Sequence, residues 1–269
     1  METTTFWAKT TNDKEKYPNA FHPLICHLID VAMAAKLLWQ KVLPEKTKER
    51  LAKVFELEND LKLEKAGNLI AFLIGLHDLG KCSPPFALRG RNDNQNNQTF
   101  RLLELYQDTE YFCDGFKTAS EAPHNFVTSV VLPPILEEKF QFKTLLAKNI
   151  SDIIGGHHGT FPDSNFLTKK TGDDYCGNQV WRDAQKELVE TLAGLFEIEG
   201  DFSHLPNQKL DNATAMIFAG LTTTADWIGS NADFFKCEIE DSTKNFSLDV
   251  NEYPKKSKTQ AAEALEKLG

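Results

Sequence analysis

Seven histidines occur in this 269-residue sequence, at positions 22, 27, 77, 124, 157, 158 and 204. Several stand in settings that invite chemistry. His77-Asp78 closes an apolar run in GLHDLGK, and His157-His158 follows a glycine pair in GGHHG. His27 lies in CHLIDVA, His124 follows Pro123, and Asp226 lies in TTTADWIGS. Polar groups on apolar helices are costly to bury unless something satisfies them. A divalent transition metal would do so, because imidazole suits such ions and a carboxylate can bridge two of them. Neighbouring helical residues point roughly 100° apart, so at a helix end an adjacent His-Asp pair can serve one ion or two. Two ions roughly 3.5–4 Å apart can activate water and stabilise the leaving oxygen of a phosphodiester. Lys81, one turn beyond His77, is placed to hold a phosphate or to balance the carboxylates.

Each feature alone has an ordinary explanation. A single histidine on an apolar helix is commonly a satisfied core residue, and adjacent histidines beside glycines occur in loops. Their conjunction is what points to a metal centre. His22 is expected to cap a helix or lie on the surface, and His204, in the polar SHLPN stretch, to be exposed. Cys26, Cys82, Cys113, Cys176 and Cys237 read as small apolar residues.

The elements that must position these groups are mostly helical. Residues 23–42 carry apolar side chains at three- and four-residue spacing. Residues 46–65 read as one or two surface helices, and 67–79 as a buried helix ending near Gly80. The run 90–98, GRNDNQNNQ, is too polar to bury much, so 88–98 is expected to be a flexible loop. Helices are predicted over 99–108, 123–140, 142–155, 181–197 and 213–228, with Pro133-Pro134 kinking or breaking the second. Residues 159–178 read as a long loop over the site, and the last fourteen or so as an amphipathic helix. Strand alternation is weak and confined to 237–241. Trp227 is expected in the core. The fold class is therefore all-α, with a domain over 1–250 and a C-terminal helix or linker over 251–269.

The bulk numbers fit an ordinary soluble globular protein. Hydrophobic residues make up 41% and charged residues 26%. No stretch approaches the roughly 18 apolar residues of a membrane span, and no signal peptide is apparent. The five cysteines include no CxxC pair, which argues against a disulfide framework or zinc ribbon and for a cytoplasmic setting. A net charge of -9 is unlike a free-standing DNA-binding module. A nucleic-acid substrate would need delivery by a partner or a local basic strip.

In order and context, HPLICHLIDVA, GLHDLGKCSPPF, PHNFVTS, GGHHG and ADWIGS, preceded by FWAK, resemble the HD nuclease domain of the CRISPR-associated helicase–nuclease of type I systems. The pieces span nearly all of the chain up to residue 230. HDLGK alone marks the wider HD phosphohydrolase superfamily, and GGHHG with ADWIGS is more specific to the CRISPR branch. The resemblance implies an HD-type helical bundle with a dinuclear site. His27, His77, Asp78 and Asp226 match the ligands of one ion, and His124, His157 and His158 those of the second, with Asp78 bridging. Asp78 and Lys81 would be catalytic, and Lys81 and Ser230 would meet substrate. The implied cofactors are two divalent transition-metal ions (iron, manganese, nickel or cobalt). The implied partners are single-stranded DNA, a helicase domain or subunit and an RNA-guided surveillance complex. The chain has no GxxxxGK[ST] motif, and its ending QAAEALEKLG resembles a junction leading into a helicase, so an excised domain is expected. Two other functions remain: an HD hydrolase of nucleotides or cyclic nucleotides, and a non-catalytic module that recruits the helicase.

Overall fold

The computed structural model describes residues 3–57 and 60–268. Residues 58 and 59, within the stretch expected to form surface helices, lie outside the described residues, as do 1, 2 and 269.

The fold is all-α apart from one two-stranded ribbon among the described residues. A 3-10 turn at Thr3–Thr5 leads into strand β1 (Trp7–Thr10), which pairs antiparallel with β2 (Phe21–Pro23). Helix α1 (Leu24–Lys41) follows directly. Pro23, at φ -58 and ψ 143, has no N–H to lose there and ends the strand. Nearly every side chain of α1 is buried, so it runs through the centre of the molecule with α3 (Asp60–Gly75), α11 (Asn212–Gly229) and α12 (Tyr253–Leu268) packed around it. Helix α2 (Glu45–Lys53) buries Leu51 and Ala52. The short α4 (Pro84–Ala87) and α5 (Gln98–Arg101) follow α3. A second layer, α6 (His124–Phe140) and α7 (Thr144–Gly155), packs on the 3-10 turn Leu76–Lys81 that extends α3. Helices α8 (Ser164–Lys169), α9 (Asp173–Cys176) and α10 (Gln179–Leu195) complete the bundle.

Several expectations need correction. The prolines do not break the helix: α6 runs unbroken through Pro133 and Pro134. Its packing against α7 outweighs the lost backbone hydrogen bonds. The polar run after Leu88 holds a 3-10 turn at Arg89–Asn92, and Gly90 and Gln98 are buried while 94–97 are exposed. The long loop after Gly159 contains α8 and α9, the first capped by Asp163, whose carboxylate accepts from the Phe166 N–H at 2.7 Å. The ribbon formed by β1 and β2 was not expected, being too short to show alternation; Phe21 also bridges to Ile239, where the weak strand signal lay. His22 is neither surface nor cap. It is fully buried on β2, with Nε2 2.8 Å from Asp30 Oδ2. Trp227 is 71% exposed, not core. His204 is exposed as expected, and Cys26, Cys82 and Cys176 are buried, with Cys113 and Cys237 partly so.

Candidate metal centre

The HDLGK segment is where helix geometry changes. Helix α3 ends at Gly75 and the chain tightens into the 3-10 turn Leu76–Lys81, with Asp78 at φ -105 and ψ 15. That sparsely used conformation lets His77 and Asp78, adjacent in sequence, face one point. Gly80 allows α6 to press against the turn, since a Cβ there would come within 2.7 Å of Thr128 N. The Gly80 N–H donates to the Thr128 hydroxyl at 2.9 Å, and that hydroxyl lies 2.9 Å from the His77 carbonyl.

The other groups arrive from four elements. His27 comes from the first turns of α1 and His124 from the start of α6. Asp226 comes from the last turn of α11. A Cβ on Gly229 would lie 2.7 Å from Val31 Cγ2, so its absence lets α11 approach α1 closely enough to bring Asp226 beside His27. His157 and His158 follow the end of α7. Asn125 Nδ2 donates to the Gly155 carbonyl at 2.9 Å, and the Thr223 hydroxyl to the His157 carbonyl at 3.0 Å, tying this turn to α6 and α11.

Asp78 stands between two clusters. Its Oδ2 lies 2.9 Å from His27 Nε2, 3.3 Å from His77 Nε2 and 2.6 Å from Lys81 Nζ. Its Oδ1 lies 3.1 Å from His124 Nε2 and 3.5 Å from His157 Nε2. Asp226 Oδ1 adds distances of 3.3 Å to His77 Nε2 and 3.8 Å to His27 Nε2. On the other side His158 Nε2 is 3.3 Å from His124 Nε2. His27, His77, Asp78 and Asp226 thus converge in one buried group, and His124, His157 and His158 in a second that reaches solvent through His158.

The donor set fits metal ions. Asp78 Oδ1 and His157 Nε2 are buried and make no hydrogen bond, a costly arrangement without a cation. His157 Nδ1 is 2.7 Å from the Ile154 carbonyl. That contact places a proton on Nδ1, so a neutral ring presents its Nε2 lone pair to Asp78 Oδ1, acceptor against acceptor, as a metal ligand would.

Protonation follows the same logic. Burial works to lower the pKa of His77, but the carboxylates of Asp78 and Asp226 outweigh it and raise it to about 10. An imidazolium therefore balances charge where a metal would. Burial lowers His27 to about 3, helped by the Lys81 charge, and burial lowers His124 to about 4. Burial opposes ionisation of Asp78 and Asp226, yet the neighbouring cations hold both carboxyls well below the usual range.

Every histidine and aspartate expected at the site is brought together. Lys81 pairs with Asp78, and its Nζ lies 5.4 Å from the Phe86 ring centre. Ser230 turns its hydroxyl to Asp226 Oδ1 at 2.8 Å. Sequence reasoning missed Thr128, Asn125 and Thr223, which tie the ligand-bearing turns together, and Phe86, whose ring packs edge-on to His124 at 5.4 Å. Thr128 carried one available signal, falling one helical turn after His124.

A family model described as "Cas3, HD domain" matches residues 7–235. The CRISPR-associated nuclease/helicase Cas3 of Streptococcus thermophilus is 26% identical over 251 residues, covering 86% of this chain and 25% of that protein. The CRISPR-associated endonuclease/helicase Cas3 of Thermus thermophilus is 25% identical over 265 residues, covering 98% of this chain and 25% of that protein. The chain thus spans about a quarter of the length of the curated relatives it matches. A crystal structure of a CRISPR-associated protein superposes with a TM-score of 0.81 at 28% identity, over 100% of this chain and 27% of that one. The Thermus thermophilus Cas3 HD domain, crystallised in the presence of Ni2+, superposes with a TM-score of 0.66 at 22% identity, over 99% of this chain and 90% of that one. At that identity it speaks for the fold alone.

Proposed function

The chain belongs to the Cas3 HD-domain family, and from that membership we propose that it is a metal-dependent nuclease that hydrolyses phosphodiester bonds of single-stranded DNA in CRISPR interference. Asp78 carries this reading: its two carboxylate oxygens face two separate sets of imidazoles, Oδ2 toward His27 and His77, Oδ1 toward His124 and His157. That is the arrangement of a bridging ligand. His27, His77, Asp78 and Asp226 would hold one divalent ion, and His124, His157 and His158 a second.

Bound there, the ions would supply Lewis acidity to the scissile phosphate and to the attacking water. The protein's own part is orientation and charge. Asp78 would set the spacing of the two ions by offering one carboxylate oxygen to each group. Lys81, its side chain 13% exposed beside Asp78, could turn its Nζ outward to a phosphate oxygen. Ser230 holds Asp226, and its backbone lies at the end of α11 near the same rim. The histidine group is the exposed one, so substrate would approach from the side of His124 and His158. Phe161, 50% exposed and packed against Gly156, lies on that side and could stack a base.

The all-imidazole-and-carboxylate donor set favours iron, manganese, cobalt or nickel over calcium. The partners we infer are a helicase, on the same or another polypeptide, in keeping with the names of the curated relatives, and an RNA-guided surveillance complex. A single labelled oligonucleotide, offered to chelator-stripped protein with each added metal beside a panel of nucleotides and cyclic nucleotides, tests the reading. Cleavage of the oligonucleotide alone supports it. Turnover of a nucleotide alone would assign a different hydrolase, and no turnover of either would leave a recruiting module.

A further inference from the structure

The ribbon formed by β1 and β2 touches both helices that carry the buried ion group. On one strand, Lys9 Nζ donates to the carbonyls of Gly229 at 3.3 Å and Ser230 at 3.4 Å. These lie at the C-terminus of α11, where carbonyls lack helical partners and a cation is favourable. Ser230 in turn gives its hydroxyl to Asp226. On the other strand His22, the register partner of Lys9, is joined to Asp30, one turn after His27 on α1. Tyr253 donates to the same Asp30 at 3.0 Å, which pins α12 there as well. The ribbon therefore grips α1 through His22 and α11 through Lys9. Between those grips the helices meet at Val31 and Gly229 without room for a side chain.

We propose that Lys9 is a positioning residue for the ion site of His27, His77, Asp78 and Asp226, holding the end of α11 so that Asp226 meets the ligands carried by α1 and the 3-10 turn. The proposal rests on the metal-centre reading above. Lys9 touches no ligand atom; it acts on Asp226 through the backbone of residues 229 and 230. Its charge also lies within electrostatic range of Asp30, Lys81 and Asp226. Charge and geometry therefore give opposite signs. Removing a nearby positive charge would by itself strengthen binding of a dication. Releasing the end of α11 would weaken it.

The test is Co2+ titration of chelator-stripped protein, followed by calorimetry and visible absorbance. A His158→Ala background, which leaves the histidine group incomplete, isolates the carboxylate site. Lys9→Met in that background should weaken Co2+ binding roughly 10- to 100-fold, the usual cost of losing a group that orients a ligand. Lys9→Arg, which can still donate to both carbonyls, should recover most of the affinity. In the otherwise unaltered chain, Lys9→Met should leave the second ion bound. Equal or tighter binding by Lys9→Met overturns the proposal while the metal centre stands. Absence of Co2+ binding by the unaltered protein removes the metal centre and this proposal together. If Lys9→Met does not fold, as judged by thermal unfolding without metal, Lys9→Gln, shorter and neutral, carries the same comparison with the same two outcomes.

Discussion

His124 Nε2 stands 3.1 Å from Asp78 Oδ1, while the other oxygen of that carboxylate faces His27 and His77. One side chain thus joins two ligand groups built from different layers of the fold. Replacing it should cost both ions. Asp78→Ala is expected to lose more than the roughly 100-fold typical of an outer partner, in metal affinity and in DNA cleavage alike. Metal analysis of the purified variant, beside its cleavage rate, checks this; a variant that still cuts at the normal rate would refute the bridging role.

Binding of the first ion should release a proton. In the ion-free protein His77 is raised to about 10, against burial, by Asp78 and Asp226. A group raised above its unfolded value of about 6.5 contributes stability that is complete below that pH and lost as pH climbs through about 10. A metal needs the neutral ring, so near pH 7.5 about one proton must leave His77. His27 and His124, lowered to about 3 and about 4, are already neutral and release none. Affinity should therefore rise about tenfold per pH unit across neutrality. Calorimetry in buffers of different ionisation enthalpy counts the proton, and a count of zero contradicts the assignment.

His22→Ala is expected to destabilise the domain by about 3 kcal/mol, because it strips a buried partner from a buried carboxylate, Asp30. His204→Ala, on the surface, should stay within about 0.5 kcal/mol. Urea unfolding at pH 7 without metal compares them. Equal stability of the two variants would mean that the His22–Asp30 contact contributes nothing.

Ser230→Ala should weaken metal binding roughly tenfold without unfolding the protein, since it removes the hydroxyl that donates to Asp226 Oδ1 at 2.8 Å. The effect should appear in the ion titration as well as in cleavage. A change in cleavage alone would instead place Ser230 against substrate.

Single-stranded DNA should be cut and the annealed form spared, because a duplex is too wide and stiff for a histidine-lined rim. Activity should fall steeply with salt, given the net charge of -9 and reliance on phosphate contacts. Phe161→Ala should cost about 1 kcal/mol in strand binding with stability intact, as the ring is half exposed. One labelled oligonucleotide, single-stranded and annealed, titrated for binding and incubated for cleavage with wild type, Phe161→Ala and His157→Ala over a salt series, covers all three points. Equal cutting of both forms ends the selectivity claim, and full activity in His157→Ala traces the cutting to a contaminant.

Much of this centre could be read from the chain because its ligands come in contiguous motifs. HDLGK, GGHHG and ADWIGS each place imidazole or carboxylate next to a helix end, where local backbone alone determines which way neighbours point. Helix periodicity was legible for the same local reason, and α1, α7, α10 and α11 lie close to their expected bounds. What the chain could not reveal are relations whose partner is far off in sequence. His22 looked like a cap until β2 laid it against Asp30 inside the molecule. Trp227 looked apolar and hence internal, but exposure depends on what packs on that face of α11, and Asp226 beside it takes the inward direction. Pro133 and Pro134 read as a kink or break because local propensity sees only the lost hydrogen bonds, while the packing of α6 against α7, which keeps the helix unbroken, is tertiary. Residue types and their order were determined locally, by covalent neighbours and helical period. The division of Asp78 between two histidine groups, and the grip of a short ribbon on α1 and α11, were decided by packing alone, because a distance of 3 Å between remote side chains has no signature in either one's neighbourhood.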